Sequence, residues 1–517
     1  MKSKNHPYSF INKMSSKILS AAVVGLDARL VEVEADTGGG ELGTVAIVGL
    51  PDAAVAEARE RVRSAIKNSG LNFPKLRVTV NLAPADLKKH GSSFDLPIAA
   101  SILSTTGFLP EKGLERCLFL GELALDGSLR PIDGVLPVAI KAAESGLSGL
   151  FIPQGNAQEA KLAKNIEVFP VSSLHQLVDH FTGKKKISPA DYQEISFSNP
   201  NASFDLSHVK GNEHVKRAME IAAAGAHNLL MFGPPGSGKT MLAKAFPSIL
   251  PELTLPEALE VTKIYSVAGR LKGNYLITGR PFRSPHHTAS DVAMIGGGTK
   301  PGPGEISLSH RGVLFLDEFP QFQKNVLEAL RQPLEDGVVT ISRAAGSLDF
   351  PAKFILIASM NPCPCGYWGD RIKDCSCSAG QIASYRKRIS GPILDRIDMH
   401  IEVPRLDIEK LSSDAPAEPS AEIKKRVEAA RKRQFERFQN DKFLTNSEMS
   451  SEKTRKYCRL SAEAKSLLDN AAKNLAVSAR SYFRIIKVAR TIADLEAEAD
   501  ISSDHIGEAL QYREKNP

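Results

Sequence analysis

Residues 233–240 read Gly-Pro-Pro-Gly-Ser-Gly-Lys-Thr and form the most informative short stretch of the 517-residue chain. They match the pattern Gly-x4-Gly-Lys-[Ser/Thr], whose glycines let backbone N–H groups wrap around phosphate oxygens. An apolar run precedes the stretch and a helical pattern follows it, which disfavours the alternative of a glycine-rich surface turn. We expect Lys239 to reach the β- and γ-phosphates and the Thr240 hydroxyl to bind Mg²⁺. The predicted nucleotide-binding residues are Gly233, Pro234, Pro235, Gly236, Ser237, Gly238, Lys239 and Thr240.

An acidic pair downstream supplies the groups that hydrolysis of a triphosphate also needs. Asp317 and Glu318 follow the four apolar residues VLFL. Asp317 is expected to hold Mg²⁺ through water and Thr240, and Glu318 to polarise the attacking water. By itself, an apolar run that ends in two acids is often a strand that reaches the surface. The position of this pair after a phosphate loop favours the catalytic interpretation.

Three more polar residues follow in an order that suits the same chemistry. Asn361 comes after the apolar segment KFILIASM, where its amide could fix the attacking water or the γ-phosphate. Arg396 ends a helix-like stretch, and such an arginine suits a contact with the nucleotide of a neighbouring subunit. Arg480 begins a C-terminal helical pattern, where a second arginine could sense the γ-phosphate. Each arginine alone would more often be a surface ion-pair partner, so the hypothesis depends on the order of all these elements.

Four of the six cysteines lie within fifteen positions, directly after Asn361. Four thiolates suit a tetrahedral zinc site, but the usual spacing there is Cys-x2-4-Cys. The spacing here is Cys-x-Cys, so reduced thiols in a plain loop and a redox-sensing loop remain alternatives. Tyr367 and Trp368 lie between the two pairs and could stack on a nucleic-acid base. The candidate ligands are Cys363, Cys365, Cys375 and Cys377.

These residues must be held by separate folded parts of the chain. Residues 14–182 alternate apolar runs with helical patterns, which predicts an α/β domain, and residues 204–411 do the same around the phosphate loop. Residues 183–203 are polar without a sustained period and are typical of a linker. A second short linker opens residues 412–517, where apolar residues three and four positions apart predict a helical domain. Residues 1–13 are expected to form an N-terminal extension.

The composition favours a globular protein of the cytoplasm. Hydrophobic residues make up 42% and charged residues 24%, while the net charge of +7 permits a nucleic-acid partner without requiring one. No apolar run is long enough to span a bilayer, and Asp27 and Arg29 interrupt the N-terminal apolar patch too soon for a signal peptide. Sparse cysteine indicates a reducing compartment, in which the isolated Cys117 and Cys458 are expected to be buried.

Together these segments resemble the YifB/ComM family of bacterial magnesium-chelatase-like AAA+ ATPases. The resemblance runs from about Met14 to the C-terminus and is carried by GPPGSGKTMLA, RPFRSPHHTASDVAMIGGG, PGEISLSHRGVLFLDEFPQF, LRQPLEDGVVTISRA and SGPILDRIDMH. It implies an α/β fold class with a ribosomal-S5/Lon-protease-like N-terminal domain, a P-loop core with a parallel sheet and a C-terminal helical domain. It also implies ATP and Mg²⁺ at sites between the subunits of a homo-hexamer. ComM-type members act as branch-migration helicases during natural transformation, with DNA in the central pore.

Two segments are placed to contact DNA under this resemblance. Residues 280–297 lie between the phosphate loop and the acidic strand, and residues 338–354 are typical of a hairpin. Inserts at these two positions project into the central pore of MCM-like ATPases. Basic side chains there are candidate phosphate contacts, which position DNA without specifying its sequence. The alternative is a set of structural turns with buried histidines. The candidates are Arg280, Arg283, His286, His287, Lys300 and Arg343.

The first domain resembles Lon-type proteases in its segments DLKKHGSSFDLPIAASIL and GELALDGSLRPIDGVLPVAIKAAESGLSGLFIP. Those proteases use a Ser–Lys pair. Ser93 lies near the serine position, but the lysine position falls at Leu136. A serine without a base is a poor nucleophile, so we do not expect proteolysis. The domain is expected to shape the ring or to bind DNA or a partner.

Three other functions remain as alternatives. The chain could be a chelatase motor subunit acting on a protein partner, which would need separate porphyrin-binding subunits. It could be an ATP-dependent protease, which Leu136 disfavours. A nucleotide-gated binding module without hydrolysis is disfavoured because Glu318, Asn361 and Arg396 are all present. Finally, the basic helical pattern over 422–438 predicts a solvated face, or else a contact with DNA or another subunit.

Overall fold

The computed structural model describes residues 15–513 with gaps at 40–42, 111, 193–203, 299–300, 344–345, 371, 406–416, 440, 442 and 475–477. The predicted N-terminal extension therefore lies outside the described residues, as does about half of the predicted 183–203 linker. The chain divides into two compact units. The first unit is Met1–Ile195 with Leu259–Ile277, and the second is Ser196–Ala258 with Thr278–Pro517.

The first unit is built on a seven-stranded mixed sheet. Alternate residues of a strand point to opposite faces, so Ile18 and Ala21 enter two different hydrophobic cores, each covered by helices. Across the sheet the strands are Val45–Val48, Arg77–Ala83, Asp27–Gly38, Ser15–Val24, Cys117–Phe119, Gly149–Pro153 and Glu167–Val171. A small ladder pairs Glu122–Leu123 with Leu129–Arg130. The helices are Ala53–Asn68, Asp95–Thr105, Val135–Glu144, Ala157–Ala160 and Leu174–Phe181.

Local sequence explains the elements of this unit. The predicted helix in PDAAVAEARERVRSAIKNSG is confirmed as Ala53–Asn68. Asp52 caps it by accepting a hydrogen bond from the backbone N–H of Val55, a role that aspartate fills at helix starts. The helix buries Val55, Val62 and Ile66 on one face, while Arg61 is half-buried and pairs with the buried Asp95.

The second unit contains a five-stranded sheet whose strands are all parallel. The strand VLFL is completely buried, because both faces of a parallel sheet are normally covered. Leu316 pairs with Ala358, and Phe232 pairs with Met360, so the carboxyl ends of three neighbouring strands meet at one edge. Across the sheet the strands are Phe282–Arg283, Val313–Leu316, Ile355–Met360, Leu229–Phe232 and Met399–Glu402.

Short helices and two antiparallel ladders surround this sheet. One ladder pairs Val338–Arg343 with Gly346–Pro351, which confirms the strand pairing predicted for residues 338–354. The other pairs Gly296–Gly297 with Gly302–Pro303. The helices before the C-terminal region are Glu213–Gly225, Lys239–Ala245, Leu255–Val267, Asp291–Ile295, Glu305–Leu308, Lys324–Ala329, Arg331–Asp336, Ala379–Arg386 and Gly391–Leu394. In the helix Leu255–Val267, the residues from Leu259 onward belong to the first unit.

The C-terminal region is helical, as predicted, and shares the hydrophobic core of the parallel sheet. Val427 and Ile492 join the same buried cluster as Met219 and Leu229. The predicted α/β fold class with a parallel sheet and a helical C-terminus is thus confirmed. Within the described residues, no helix combines the length and apolarity that crossing a bilayer requires. The C-terminal helices are Ser420–Arg437, Ser451–Tyr457, Ala462–Asn474, Ala479–Leu495 and Ser503–Gln511.

The basic helix predicted over 422–438 is present as Ser420–Arg437, and three of its arginines contact other parts of its own unit. Arg426 forms an ion pair with the buried Glu220, and Arg437 does so with the buried Asp494. Arg431 donates to the carbonyl oxygen of Ala223 at 2.9 Å. The exposed Lys425 and Lys432 agree with the predicted solvated face, whereas Arg431 and Arg437 join the helix to the rest of its own unit. A contact with DNA or another subunit stays a prediction.

Candidate nucleotide site

The phosphate loop continues from the carboxyl end of the strand Leu229–Phe232 into the following helix. Gly236 and Gly238 have φ angles of 77° and 90°, in a region that residues with a Cβ rarely adopt. At Gly233 a Cβ would lie only 2.1 Å from the carbonyl oxygen of Val403. Glycine is therefore required at all three positions, for backbone conformation at two of them and for close packing at the third.

Lys239 lies folded over this loop. Its Nζ donates to the carbonyl oxygens of Gly233 and Pro234 at 2.7 and 2.9 Å, and to Oδ1 of Asn361 at 3.2 Å. Burial lowers the pKa of Lys239 to about 8, although the charge of Asp317 acts in the opposite direction. The ammonium group is thus held by neutral oxygens, which a phosphate could replace with a stronger charged partner.

Asp317 follows the neighbouring buried strand and lies beside the phosphate loop. The Thr240 hydroxyl donates to its Oδ2 at 2.9 Å, and the Ser359 hydroxyl donates to its Oδ1. The structure thus brings together the predicted hydroxyl and carboxylate, although they are 77 positions apart in the chain. Such hard oxygen groups fit Mg²⁺, which prefers oxygen ligands and retains waters of its own.

Glu318 has an unusual backbone and an unexpected neighbour. Its φ and ψ are 53° and 44°, left-handed values that are uncommon for a residue with a side chain and typical of strained functional positions. The side chain is 56% exposed, and its Oε2 lies 3.4 Å from Nδ1 of His287. The His287 ring lies against that of His286, with centroids 4.1 Å apart and the ring planes tilted by 34°. Both histidines were predicted only as candidate DNA contacts, and no spacing in the sequence indicates the contact with Glu318.

Arg396 and Arg480 lie together, but at the other end of the sheet. Arg480 Nη2 donates to Oε1 of Glu335 at 2.9 Å, and Arg396 Nη2 donates to Oε2 of the same residue. The backbone oxygen of Arg396 accepts a hydrogen bond at 3.2 Å from Asn228, the residue just before the strand Leu229–Phe232. The phosphate loop begins just after that strand. Glu335 was not predicted, since nothing in its local pattern distinguishes it from other surface acids.

The four cysteines of the predicted cluster also come together. Their four Sγ atoms all lie within 4.8 Å of one another. Three of the separations are 3.4 Å for Cys363–Cys365, 3.7 Å for Cys363–Cys375 and 3.6 Å for Cys365–Cys375. These distances are far longer than a disulfide bond. Cys117 and Cys458 are buried elsewhere, as predicted.

The two aromatic residues between the cysteine pairs each lie against a cation. The guanidinium of Arg386 is 4.4 Å from the ring centroid of Trp368, and Nζ of Lys373 is 4.2 Å from that of Tyr367. The guanidinium of Arg405 also lies 6.0 Å from the Tyr367 ring centroid, so Tyr367 has two cationic neighbours. The stacking of these rings on a nucleic-acid base stays a prediction.

The remaining basic candidates for DNA contacts divide into two groups. The prediction that Arg280 contacts DNA is wrong, because its guanidinium is buried and donates to the carbonyl oxygen of Pro251. The same group forms an ion pair with Glu257. Arg283 forms a two-bond ion pair with Glu305, so it too has an internal partner. Lys300 and the side chain of Arg343 lie outside the described part of the structure.

In the first unit, the predicted departure from the Lon Ser–Lys pair has a simple structural basis. Leu136, at the lysine position, is completely buried. Lys89 precedes Ser93 in the chain and is buried as well, and burial lowers its pKa. Its Nζ donates to the carbonyl oxygens of Gly49, at 3.0 Å, and Pro84. Lys89 therefore has a structural role in holding two backbone segments.

Comparison with known proteins finds relatives that match nearly the full length of the chain. Residues 31–156 match the family described as subunit ChlI of Mg-chelatase, 205–411 the family magnesium chelatase, subunit ChlI, and 417–513 its C-terminal family. The competence protein ComM of Haemophilus influenzae is 44% identical over 502 residues, which cover 96% of this chain and 97% of the relative. The chain belongs to the YifB/ComM family. YifB of Salmonella typhimurium is 42% identical over 494 residues, 95% of this chain and 96% of the relative.

Magnesium chelatase itself is a more distant relative of the YifB/ComM family. Its 38 kDa subunit from Rhodobacter capsulatus is 27% identical over 176 residues, 31% of this chain and 50% of that subunit. Membership of this magnesium-chelatase-like family makes the chain an AAA+-type ATPase, for which ATP and Mg²⁺ are the implied ligands. The structure brings the phosphate loop and the Thr240–Asp317 pair to one edge of the sheet, and their chemistry fits these ligands.

The lowered pKa of Lys239 predicts how ATP affinity depends on pH. Only the protonated ammonium attracts phosphate strongly, and the free protein loses this proton as the pH rises through about 8. ATP binding must then take up a proton, so the Kd for a fluorescent ATP analogue should rise by about tenfold per pH unit above pH 8. Arginine stays charged over this range, so Lys239→Arg should give a flat profile whatever its absolute Kd. A flat profile in the unaltered protein would contradict the prediction.

Proposed function

We propose that the chain is the subunit of a homo-hexameric ATPase that moves DNA, most specifically a branch-migration helicase used in recombination during natural transformation. The relative from Haemophilus influenzae is named a competence protein, and it matches this chain over nearly its full length. The observation that carries the proposal is the position of Arg396 and Arg480, which lie at the opposite end of the parallel sheet from the phosphate loop of the same chain.

The length of one strand gives the scale of this separation. Asn228 bonds to Arg396 at the amino end of the strand Leu229–Phe232, and Gly233 follows its carboxyl end. An extended chain advances about 3.3 Å per residue, so roughly 16 Å separate the two ends. This distance exceeds the reach of an arginine side chain. Arg396 and Arg480 are therefore unable to serve their own phosphate loop and are available to a neighbouring subunit.

A repeated contact between the arginine end of one subunit and the phosphate loop of the next is head-to-tail. Such contacts form a closed ring when the rotation between subunits permits it. In the ring that we propose, each nucleotide lies between two subunits. Glu335 holds both arginines in one place, and its carboxylate occupies the position that a phosphate oxygen of the neighbouring nucleotide would take between them.

Within one proposed site, the phosphate loop and the first acid bind the substrate. Mg²⁺, when bound, would neutralise phosphate charge and orient the triphosphate. Thr240 and Asp317 would hold it, directly and through water. Lys239 would leave the carbonyl oxygens of Gly233 and Pro234 and contact the β- and γ-phosphates.

The remaining residues act on the water and on the transferred phosphoryl group. Glu318 accepts the proton of the attacking water, and Asn361 orients that water or the γ-phosphate from the end of the next strand. Arg396 of the neighbouring subunit stabilises negative charge on the phosphoryl oxygens in the transition state, and Arg480 senses the γ-phosphate. The positions of Asp317, Glu318 and Asn361 at one sheet edge support this division of roles.

The DNA part of the proposal draws on the hairpin Val338–Arg343 with Gly346–Pro351. Its base is packed, since Val339 and Phe350 are buried. Ser342 and Ser347, beside its turn, are exposed. A hairpin that is anchored at one end and exposed at the other is suited to extend toward a partner, and Arg343 adds positive charge there for a phosphate contact.

We also propose that the four cysteines bind a structural zinc ion. Zn–S bonds of about 2.3 Å place the sulfurs of a tetrahedral site roughly 3.8 Å apart, close to the separations of Cys363, Cys365 and Cys375. Backbone N–H groups also point at these sulfurs, with that of Trp368 3.4 Å from Cys363 Sγ and that of Cys365 3.4 Å from Cys377 Sγ. Such hydrogen bonds stabilise thiolate ligands.

The proposed DNA function is tested by ATP hydrolysis with and without single-stranded DNA, and by ATP-dependent movement of a four-way junction. We expect DNA to stimulate hydrolysis, and Lys239→Ala to abolish both activities. Arg343→Ala should lose the stimulation and keep the basal rate, because Arg343 is not one of the residues proposed to contact the nucleotide. The matched control Arg59→Ala removes an exposed arginine from the first unit and should change neither.

Two results would count against the DNA motor. Junction movement that survives in Lys239→Ala would separate it from ATP hydrolysis. Hydrolysis that DNA leaves unchanged, but that a protein partner stimulates, would instead favour a chelatase-type motor.

A further inference from the structure

We infer that the four-cysteine cluster is a metal-dependent support for the phosphate loop, so that occupancy of the cluster sets the affinity for ATP. The inference rests on the zinc and the ATP site proposed above. We call residues 361–386 the cysteine loop. It begins at Asn361, contains both cysteine pairs and ends with the helix Ala379–Arg386.

The cysteine loop touches the phosphate loop directly at Gly366. This glycine lies between the two cysteine pairs with φ of 88°, and its N–H donates to the carbonyl oxygen of Cys363 at 3.0 Å. A Cβ at Gly366 would lie 2.6 Å from both Cδ and Cγ of Pro235 in the phosphate loop. The two loops are therefore packed without space for even one methyl group.

A second connection runs through Asn361. Its Oδ1 accepts from Lys239 at 3.2 Å, and Cys363 follows only two positions later. Tyr385, near the other end of the cysteine loop, is buried and hydrogen-bonds to the backbone of Asn361. The helix that carries Tyr385 is capped by Ser378, the residue directly after Cys377. Cys363 thus lies two positions from Asn361, and Cys377 directly precedes the helix whose Tyr385 bonds to Asn361.

The cysteine loop has little else to hold it folded. Among the described residues from 367 to 384, none is buried, and Ile372 is 72% exposed. A segment without a hydrophobic core usually depends on a metal or disulfides for its folded shape. The sulfur separations exclude disulfides here, so the metal remains as the stabilising element. Loss of the metal should release the cysteine loop and with it the contacts to Pro235 and Lys239.

The test uses the full chain and three measurements: zinc content, the Kd for a fluorescent ATP analogue, and the thermal unfolding temperature. We expect about one zinc per chain. Removing it with a chelator, followed by dialysis into Mg²⁺ buffer, should weaken ATP binding by at least about tenfold, and added Zn²⁺ should restore it. Cys375→Ser with Cys377→Ser should have the same effect as the chelator, although neither residue touches the phosphate loop. Cys117→Ser is the control cysteine and should retain both zinc and affinity.

Gly366→Ala tests the contact between the cysteine loop and the phosphate loop without removing a metal ligand. This variant keeps all four ligands, so it should retain zinc while its ATP affinity falls, because the added methyl group displaces Pro235. The unfolding temperature should fall modestly, since alanine is strained at this positive φ. Gly369→Ala is the matched control, since a Cβ there meets nothing within 4 Å at a similarly positive φ of 81°.

Each failure has a distinct meaning. A protein that holds less than about half a zinc per chain would overturn the zinc site and this inference with it. Zinc that can be removed without a change in ATP affinity, or Gly366→Ala with unaltered affinity, would overturn the support and leave the zinc site standing. If chelation unfolds the whole protein, the result for Gly366→Ala decides the inference. Unaltered zinc-loaded protein that does not bind ATP would instead overturn the proposed ATP site.

Discussion

Replacing Arg396 by alanine is expected to lower ATP turnover by roughly 10³-fold or more, the loss typical of an arginine that neutralises transition-state charge in phosphoryl transfer. ATP affinity should change far less, because the charge that Arg396 is proposed to neutralise develops in the transition state. Steady-state hydrolysis and binding of a fluorescent ATP analogue measure the two quantities. Arg331→Ala is the matched control, since it removes an exposed arginine from the helix that carries Glu335 and should leave turnover unchanged.

Mixing this variant with Glu318→Gln chains tests whether the site is shared. An interface between the intact Glu318 of an Arg396→Ala chain and the intact Arg396 of a Glu318→Gln chain contains every group that hydrolysis needs. Mixtures should therefore regain turnover that neither variant shows alone. If mixed assemblies stay inactive while each variant folds and assembles normally, the shared site must be abandoned.

Replacing Glu318 by glutamine should lower turnover by about 10²- to 10⁴-fold, the range for loss of a general base. The substitution keeps the size of the side chain, and Thr240 and Asp317 are untouched, so ATP and Mg²⁺ should still bind. Single-turnover hydrolysis together with ATP binding distinguishes this result from loss of affinity. Glu328→Gln provides the control, because Glu328 is a partly exposed acid that pairs with Arg331. Turnover that survives in Glu318→Gln would show that another group takes the proton.

The central groups of the site were predictable because their signals are local. A phosphate loop is recognisable from its glycine spacing, and Asp317 and Asn361 each follow an apolar run that is typical of a buried strand. The carboxyl ends of neighbouring parallel strands lie at the same edge of the sheet, so these positions are expected to lie close together. The Thr240–Asp317 contact therefore follows from two short motifs and the geometry of a parallel sheet.

The contacts that were not predicted all depend on packing between distant segments. Nothing near His287 indicates that it faces Glu318, and nothing near Glu335 indicates that it holds two arginines. For the basic helix predicted over 422–438, the internal partners of Arg426 and Arg437 were missed for the same reason. Its charge pattern is visible in the sequence, but the buried acids opposite it, Glu220 and Asp494, are contributed by other helices. Likewise, the grouping of Leu259–Ile277 with the first unit has no compositional signal.

Because Arg396 and Gly233 lie at opposite ends of the parallel sheet, the subunit has two different ends, an arginine end and a phosphate-loop end. In the proposed ring, the arginine end of each subunit faces the phosphate loop of the next, so every contact completes one site. Under the proposed function a lone copy would be idle, because it would carry half of each of two sites and the whole of none. Under the proposed function, the amount of working enzyme in a cell is therefore set by how many copies have joined head to tail, and dilution alone switches the reaction off.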